Sequence, residues 1–189
     1  MQKQTKIKGI LTTSSDLLRA VAEQANLIEA SADAITAALK NGGKLLAFGN
    51  GGSAGDSQHM VAELVGRFSR EKKPLPAIAL NADPVILTAL SNDYGYEFSF
   101  SKQIEALGMA GDVAFAISTS GNAKNVTHAV ETAHQRGLIT IGLTGKDGGA
   151  LARVADRCLI VPSQNTARIQ EAHIAIIHII CELIEEAFI

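Results

Sequence analysis

Residues 44–68 read KLLAFGNGGSAGDSQHMVAELVGRF, and the order of features inside this stretch decides the fold. Residues 45–48 form an apolar run bounded by glycine and too short for a helix, which predicts a buried strand. Gly49, Asn50, Gly51, Gly52 and Ser53 follow at once and supply backbone freedom, unhindered N–H groups and a hydroxyl. Across residues 56–68 the spacing turns helical, with Val61, Leu64, Val65 and Phe68 as the expected apolar face. Strand, glycine loop and helix start together make an anion cradle. On that helix His59 and Glu63 share a face about 6 Å apart along the axis and can meet at one ligand or metal. Each half also has a plainer explanation when taken alone. Glycines serve tight turns for steric reasons, and most H-x-x-x-E pairs are solvated helix contacts.

The same construction recurs downstream. Residues 112–117, DVAFAI, predict a strand that empties into Ser118, Thr119, Ser120, Gly121 and Asn122 at the start of another helix, lined by Val126, Ala129, Val130 and Ala133. Further strands are expected at residues 77–80, 138–143 and 158–161. Helices are expected over about 5–30, from Ser31 as N-cap to the glycines at 42 and 43, from Asp83 as N-cap through residue 90 with a stop at Ser91, Asn92, Asp93, Tyr94 and Gly95, from that stop to Gly108, over 149–155, and over about 166–188. The charged, proline-containing SREKKPLP is too short to separate two cores and reads as an exposed connection.

Alternating strands and helices predict an α/β fold, a three-layer α-β-α sandwich around a five-stranded parallel sheet. Residues 1–189 read as a single domain whose first 43 residues pack on the sheet and in an oligomer. With the flavodoxin-like strand order 2-1-3-4-5, the ligand crevice falls between strands 1 and 3, the two followed by polar glycine loops. Neither G-x-G-x-x-G nor G-x-x-x-x-G-K-[ST] occurs at these loops.

Composition narrows the ligand. The chain has 17 basic and 19 acidic residues, a net charge of -2 and a pI near 6.2, so it presents no basic field for nucleic acid or anionic lipid. A small phosphorylated metabolite held locally fits better than a polymer. Aromatic residues are only 4% of the chain and tryptophan is absent, which argues against base stacking. Cys158 and Cys181 lie in apolar segments without a C-x-x-C pair and are expected to be inert core thiols. The N-terminus lacks a continuous apolar signal region and no run approaches a membrane span, so a soluble cytoplasmic protein is expected.

The last helix, ARIQEAHIAIIHIICELIEEAFI, is apolar around most of its circumference and is expected to lie in a subunit interface as well as on its own sheet. It carries Gln170, His173 and His178. His173 reads as a hydrogen-bonded core histidine and His178 as the better site candidate. Gln170 and His178 are about 12 Å apart along the axis, so they reach one metal only if their side chains lean together or neighbouring chains contribute.

The motifs GNGGSAGDSQHMVAEL, SNDYG, ISTSGN, LTGKDGG and ARIQEAHIAIIH, in that order over nearly the whole chain, resemble the sugar isomerase (SIS) domain family. They are most similar to the branch that interconverts sedoheptulose 7-phosphate and D-glycero-D-manno-heptose 7-phosphate, the first step of nucleotide-activated heptose biosynthesis, as for lipopolysaccharide. The resemblance implies one Zn2+ per subunit on His59, Glu63, Gln170 and His178, with Glu63 and His178 in acid and base catalysis. It implies substrate contacts from Asn50, Gly51, Gly52, Ser53, Glu63, Asn92, Asp93, Ser118, Thr119, Ser120 and Gln170. It also implies a homotetramer with sites at subunit interfaces and no nucleic-acid or membrane partner. Ala123 departs from the family pattern, where serine is common, so one phosphate or hydroxyl contact is expected to be missing or made by backbone. The competing reading is a non-catalytic SIS-domain protein that binds a partner, resembling the DnaA initiator-associating protein. That branch looks to have lost the residues matching Glu63 and His178, which are present here. A sugar-phosphate-sensing regulatory domain ranks third, since it would ordinarily carry a DNA-binding module.

Overall fold

Every residue of β1 (Leu45–Gly49) is buried, and so is every residue of its neighbour β3 (Val113–Ser118). The computed structural model describes residues 2–189. Burial on both faces explains why these strands read as continuous apolar runs rather than alternating ones. Both are followed in sequence by β4 (Ile139–Gly145), and the edges are β2 (Ala77–Ala79) and β5 (Arg157–Val161). All pairs are parallel in the order β2-β1-β3-β4-β5, as expected from the sequence. The register pairs Gly49 with Ile117 and Ser118 with Thr144, bringing the strand ends that carry the polar loops side by side.

Helices cover both faces. α1 (Gln2–Ala22), α2 (Ala25–Lys40), α3 (Gly52–Val65) and α8 (Thr166–Glu186) share one core, in which Leu17, Ile35, Leu64, Ile176 and Ile180 meet Phe115 and Ile141 of the sheet. Opposite them, α5 (Ser101–Leu107), α6 (Lys124–Gln135) and the short α7 (Leu151–Val154) bury Ile104, Val126, Val130 and Leu151 against Leu46 and Phe48. α4 (Pro84–Tyr94) buries no residue of its own, and a 3-10 turn at Tyr96–Phe98 joins it to α5. Asp83 caps α4 as read, accepting from the Val85 and Ile86 amides ahead of Pro84. Burial pushes the Cys158 thiol up to about 11 and that of Cys181 up to about 12, so both stay protonated. Among the described residues no helix is long and apolar enough to cross a membrane.

Several boundaries differ from the sequence reading. The first helix ends at Ala22 instead of running to residue 30. At the break, the Gln24 amide donates to Ile160 O (2.8 Å) and accepts from Ile160 N (3.1 Å), pairing with the edge of β5 as a strand would. Ser31 is therefore not an N-cap but lies inside α2, buried, its hydroxyl donating to Leu27 O. α3 starts at Gly52, earlier than expected, and stops at Val65. Its buried stripe is Ser53, Ser57, Met60 and Leu64, whereas Val65 is 45% exposed and Phe68 lies in the following loop. α4 extends to Tyr94, so Asn92 and Asp93 belong to a helix rather than a loop.

Candidate active site

The loops after β1 and β3 close on one small pocket of 140 Å³, lined by Asn50, Ser53, Ile117, Ser118, Thr119, Ser120, Ala123 and Gln170. This volume is well below the roughly 300 to 1,000 Å³ of pockets that enclose drug-sized ligands, and suits one phosphate group better than a nucleotide. α3 and α6 both begin here without a side-chain cap and without an acidic residue in the first turn. The Ser53 and Ala54 amides of α3 and the Val126 amide of α6 turn back to backbone carbonyls, so it is the N–H groups ahead of them that face an anion, which the helix dipole favours. Gly51 turns the chain into α3 at φ +57, a conformation side chains resist. At Gly52 the requirement is space, because a Cβ would run into the amide of Gln170 from α8.

Beyond the pocket His59 contacts both catalytic candidates, Glu63 and His178. Its Nε2 lies 3.0 Å from His178 Nε2 and 3.2 Å from Glu63 Oε1. The Glu63 contact is the helical pairing expected from the four-residue spacing, while the His178 contact is made across the α3 and α8 packing. Two imidazole nitrogens this close require a proton on one of them or a cation between their lone pairs. Zinc with nitrogen ligands at about 2.0 to 2.1 Å sets neighbouring tetrahedral donors about 3.3 Å apart. The His59 distances of 3.0 and 3.2 Å match such edges, and imidazole with carboxylate is a donor set that zinc accepts. Among the described residues no three His, Cys, Asp or Glu side chains converge as a closed cage, so the fit rests on these pairs.

Not every expected residue joins these two clusters. Gln170 lies over Gly52 and lines the small pocket, and among the described residues no hydrogen bond joins it to the His59 group. Asn92 and Asp93 lie on the exposed last turn of α4, hydrogen-bonded to each other (2.9 Å) and outside the pocket lining. His173 is a buried core residue as read, facing Thr144 O at 3.1 Å.

Other polar residues of the site escaped the sequence reading. Asn50 and Asn125 exchange amide hydrogen bonds of 2.9 Å in both directions, and the Tyr96 hydroxyl donates to Asn50 Oδ1 at 2.7 Å. Asn50 is thus oriented before any ligand arrives, by residues 75 and 46 positions away. Nothing local in the sequence marks that pairing. Asp56 did carry a signal, since it stands three residues before His59 on the same helix. Burial pushes its carboxyl up to about 6 against the opposing pull of His59, and its Oδ2 is buried without a partner.

Residues 11–145 match the SIS domain family. The chain is 53% identical over 182 residues to the phosphoheptose isomerase of Aquifex aeolicus (strain VF5), with 96% of this chain and 95% of that one covered. The solved phosphoheptose isomerase of Neisseria gonorrhoeae superposes with a TM-score of 0.92 at 43% identity, covering 97% of this chain and 98% of that one. That of Francisella tularensis gives 0.94 at 40% identity, covering 98% and 100%.

Proposed function

This chain belongs to the SIS-domain family, and on that premise we propose that it is an aldose-ketose isomerase converting sedoheptulose 7-phosphate to D-glycero-D-manno-heptose 7-phosphate. The observation that carries the reading is the pairing of His59 with both Glu63 and His178 on α3 and α8, the helices whose Ser53 and Gln170 line the phosphate-sized pocket of the β1 and β3 loops. The partner-binding alternative is not favoured, because both catalytic candidates are present in that cluster and the relatives above are isomerases by name.

In this reading Ser118, Thr119, Ser120 and the uncapped starts of α3 and α6 bind the 7-phosphate, which fixes the reacting end by remote binding energy. Glu63 removes a proton from C1 of the ketose, and the electron pair forms the C1–C2 double bond of an enediolate. His178 carries the proton between the two oxygens, and Glu63 returns its proton to C2, leaving the carbonyl at C1. The transfer is balanced within the substrate. Zn2+, one per subunit and held by His59, Glu63, Gln170 and His178, would polarise the carbonyl and hydroxyl oxygens. Glu63 has a second oxygen left for the carbon proton when one is engaged with the ion.

A homotetramer with sites at subunit interfaces completes the reading. What supports it is uncovered apolar surface: Leu11 on α1 is 64% exposed, Val85 on α4 72% and Ile179 on α8 43%. α1 and α8 also border a groove of 580 Å³ lined by Leu18, Val21, Ile28, Ile179 and Leu183. Nucleotide-activated heptose, as for lipopolysaccharide, is the product route proposed.

The test is conversion of sedoheptulose 7-phosphate by the purified protein, followed by NMR, with Glu63→Gln and His178→Gln as controls. Turnover in the native protein and a loss of about 10²-fold or more in each variant are expected. A native protein with no turnover in any metal state, or a Glu63→Gln variant at native rate, would sink the reading.

A further inference from the structure

Glu185 lies on α8 two turns beyond His178, is 2% exposed, and takes no part in the chemistry above. Its Oε1 accepts from the Phe68 amide at 2.9 Å and the Ser69 amide at 3.1 Å. Its Oε2 accepts from the Ser69 amide at 3.0 Å, the Ser69 hydroxyl at 2.7 Å and the Arg70 amide at 3.0 Å. Three consecutive backbone N–H groups thus wrap one carboxylate, the kind of amide nest that holds an anion. Burial raises its pKa, and these bonds outweigh that and hold the carboxyl below its usual range.

The segment held this way is the exit from α3, the helix that carries His59 and Glu63. Lys72 donates to Leu64 O, in the last turn of α3, and to Gly66 O just past its end. Phe68, whose amide is the first in the nest, places its ring 5.6 Å from the His178 ring, which in turn stands 5.1 Å from that of His59. A carboxylate buried at this depth is costly unless it is hydrogen-bonded; these bonds meet that cost, and the segment they fix carries the ring beside the His178 imidazole.

We propose that Glu185 is a positioning residue for His178: by anchoring Phe68 to Arg70 on α8 it sets the Phe68 ring against the imidazole and holds α3 and α8 in the register that brings His59 to His178. It touches no substrate. The kinetic part rests on the isomerase reading, whereas the ring contact is independent of it.

Two variants separate the possibilities. Glu185→Gln keeps the size but turns one acceptor oxygen into a donor facing amide donors. Phe68→Leu leaves the backbone nest intact and removes only the ring. With sedoheptulose 7-phosphate both are expected to lower kcat by about 10- to 100-fold with KM within about twofold, since misplacement of a catalytic group acts on the transition state. In the metal-free protein, Glu185→Gln is expected to lose the nuclear Overhauser contacts between the Phe68 and His178 rings while its circular dichroism stays native. A native kcat in either folded variant overturns the proposal. If Glu185→Gln fails to fold, Phe68→Leu alone decides by its kcat. If the native protein does not turn over the sugar, the isomerase reading fails by itself. Retention of the ring contacts in Glu185→Gln then overturns the positioning role, and their loss supports it.

Discussion

His59 on α3 and His178 on α8 bring their Nε2 atoms to 3.0 Å across 119 residues of chain. Each helix is held to the sheet by its own buried face, so the backbones that carry the two rings are fixed relative to one another. The contact therefore needs either an Nε2–H of one ring donating to the other's lone pair or a metal ion between the two.

Metal removal tests which of these it is. Chelation is expected to abolish turnover and added zinc to restore it. Zinc bound to the folded state is also expected to raise the melting temperature of the stripped protein, by about 2.7 kcal/mol of stability at a hundredfold excess over Kd. His59→Ala should lose that rise. A melting temperature indifferent to zinc in the native chain would remove the metal role.

Gly52→Ala is expected to spare the fold and impair the site. The added Cβ meets the far end of the Gln170 side chain, which can swing away without moving backbone. Displacing that amide should lower kcat/KM by about tenfold, since misplaced groups near the reacting end act on the transition state. Thermal unfolding and steady-state kinetics on one preparation check both halves, and an undiminished kcat/KM would free Gln170 from any role.

Phosphate binding can be weakened and strengthened from the same loop. Ser120→Ala removes a hydroxyl from the pocket lining, and a lost hydrogen bond of about 1 kcal/mol corresponds to roughly a fivefold rise in KM. Ala123→Ser should do the reverse. Ala123 is the uncapped N-cap of α6 in extended conformation, so a serine there both lines the pocket and caps the helix, with about 0.5 to 1 kcal/mol of added stability. Competition by inorganic phosphate reads the first effect and urea unfolding the second.

Acid is expected to destabilise the fold through His173. Burial pushes its pKa down from 6.5 to about 4, against the raising effect of its bond at Thr144, and its Nδ1 is buried without a partner. The depressed value means the folded state keeps the imidazole neutral where the unfolded chain has begun to bind a proton. Stability contributed this way is full above pH 6.5 and falls as the pH drops toward 4, by at most about 3 kcal/mol. Urea titrations at pH 7 and pH 4.5 measure the slope. His173→Gln should flatten it, and an unchanged slope in that variant would assign the acid sensitivity elsewhere.

The strand order and the meeting of the two glycine and hydroxyl loops were legible before any coordinates. β1 and β3 are apolar throughout because helices cover both sheet faces, and this is what separates them from the period of the flanking helices. The glycine and hydroxyl residues after each strand then follow from the parallel topology, which collects those ends at one crevice. Glu63 next to His59 was legible for a similarly local reason, since helix spacing alone makes them neighbours. Boundaries were less so. The expected helix over residues 5–30 is broken at Gln24 by a bond to Ile160, and an amide that mimics a strand leaves no mark in local periodicity.

Sequence alone thus determined the layers of this protein, the glycine and hydroxyl loops at the crevice and the residue types available for chemistry, because all of these rest on interactions within a few residues or on the period of burial. Tertiary structure alone decided that His178 meets His59, that Asn125 and Tyr96 orient Asn50, that Gln170 lies over Gly52, and that Glu185 ties Phe68 beside the imidazole. Those pairings depend on the angle and depth at which whole helices settle on the sheet. That is set by the summed packing of many apolar side chains, and no single stretch of sequence contains it.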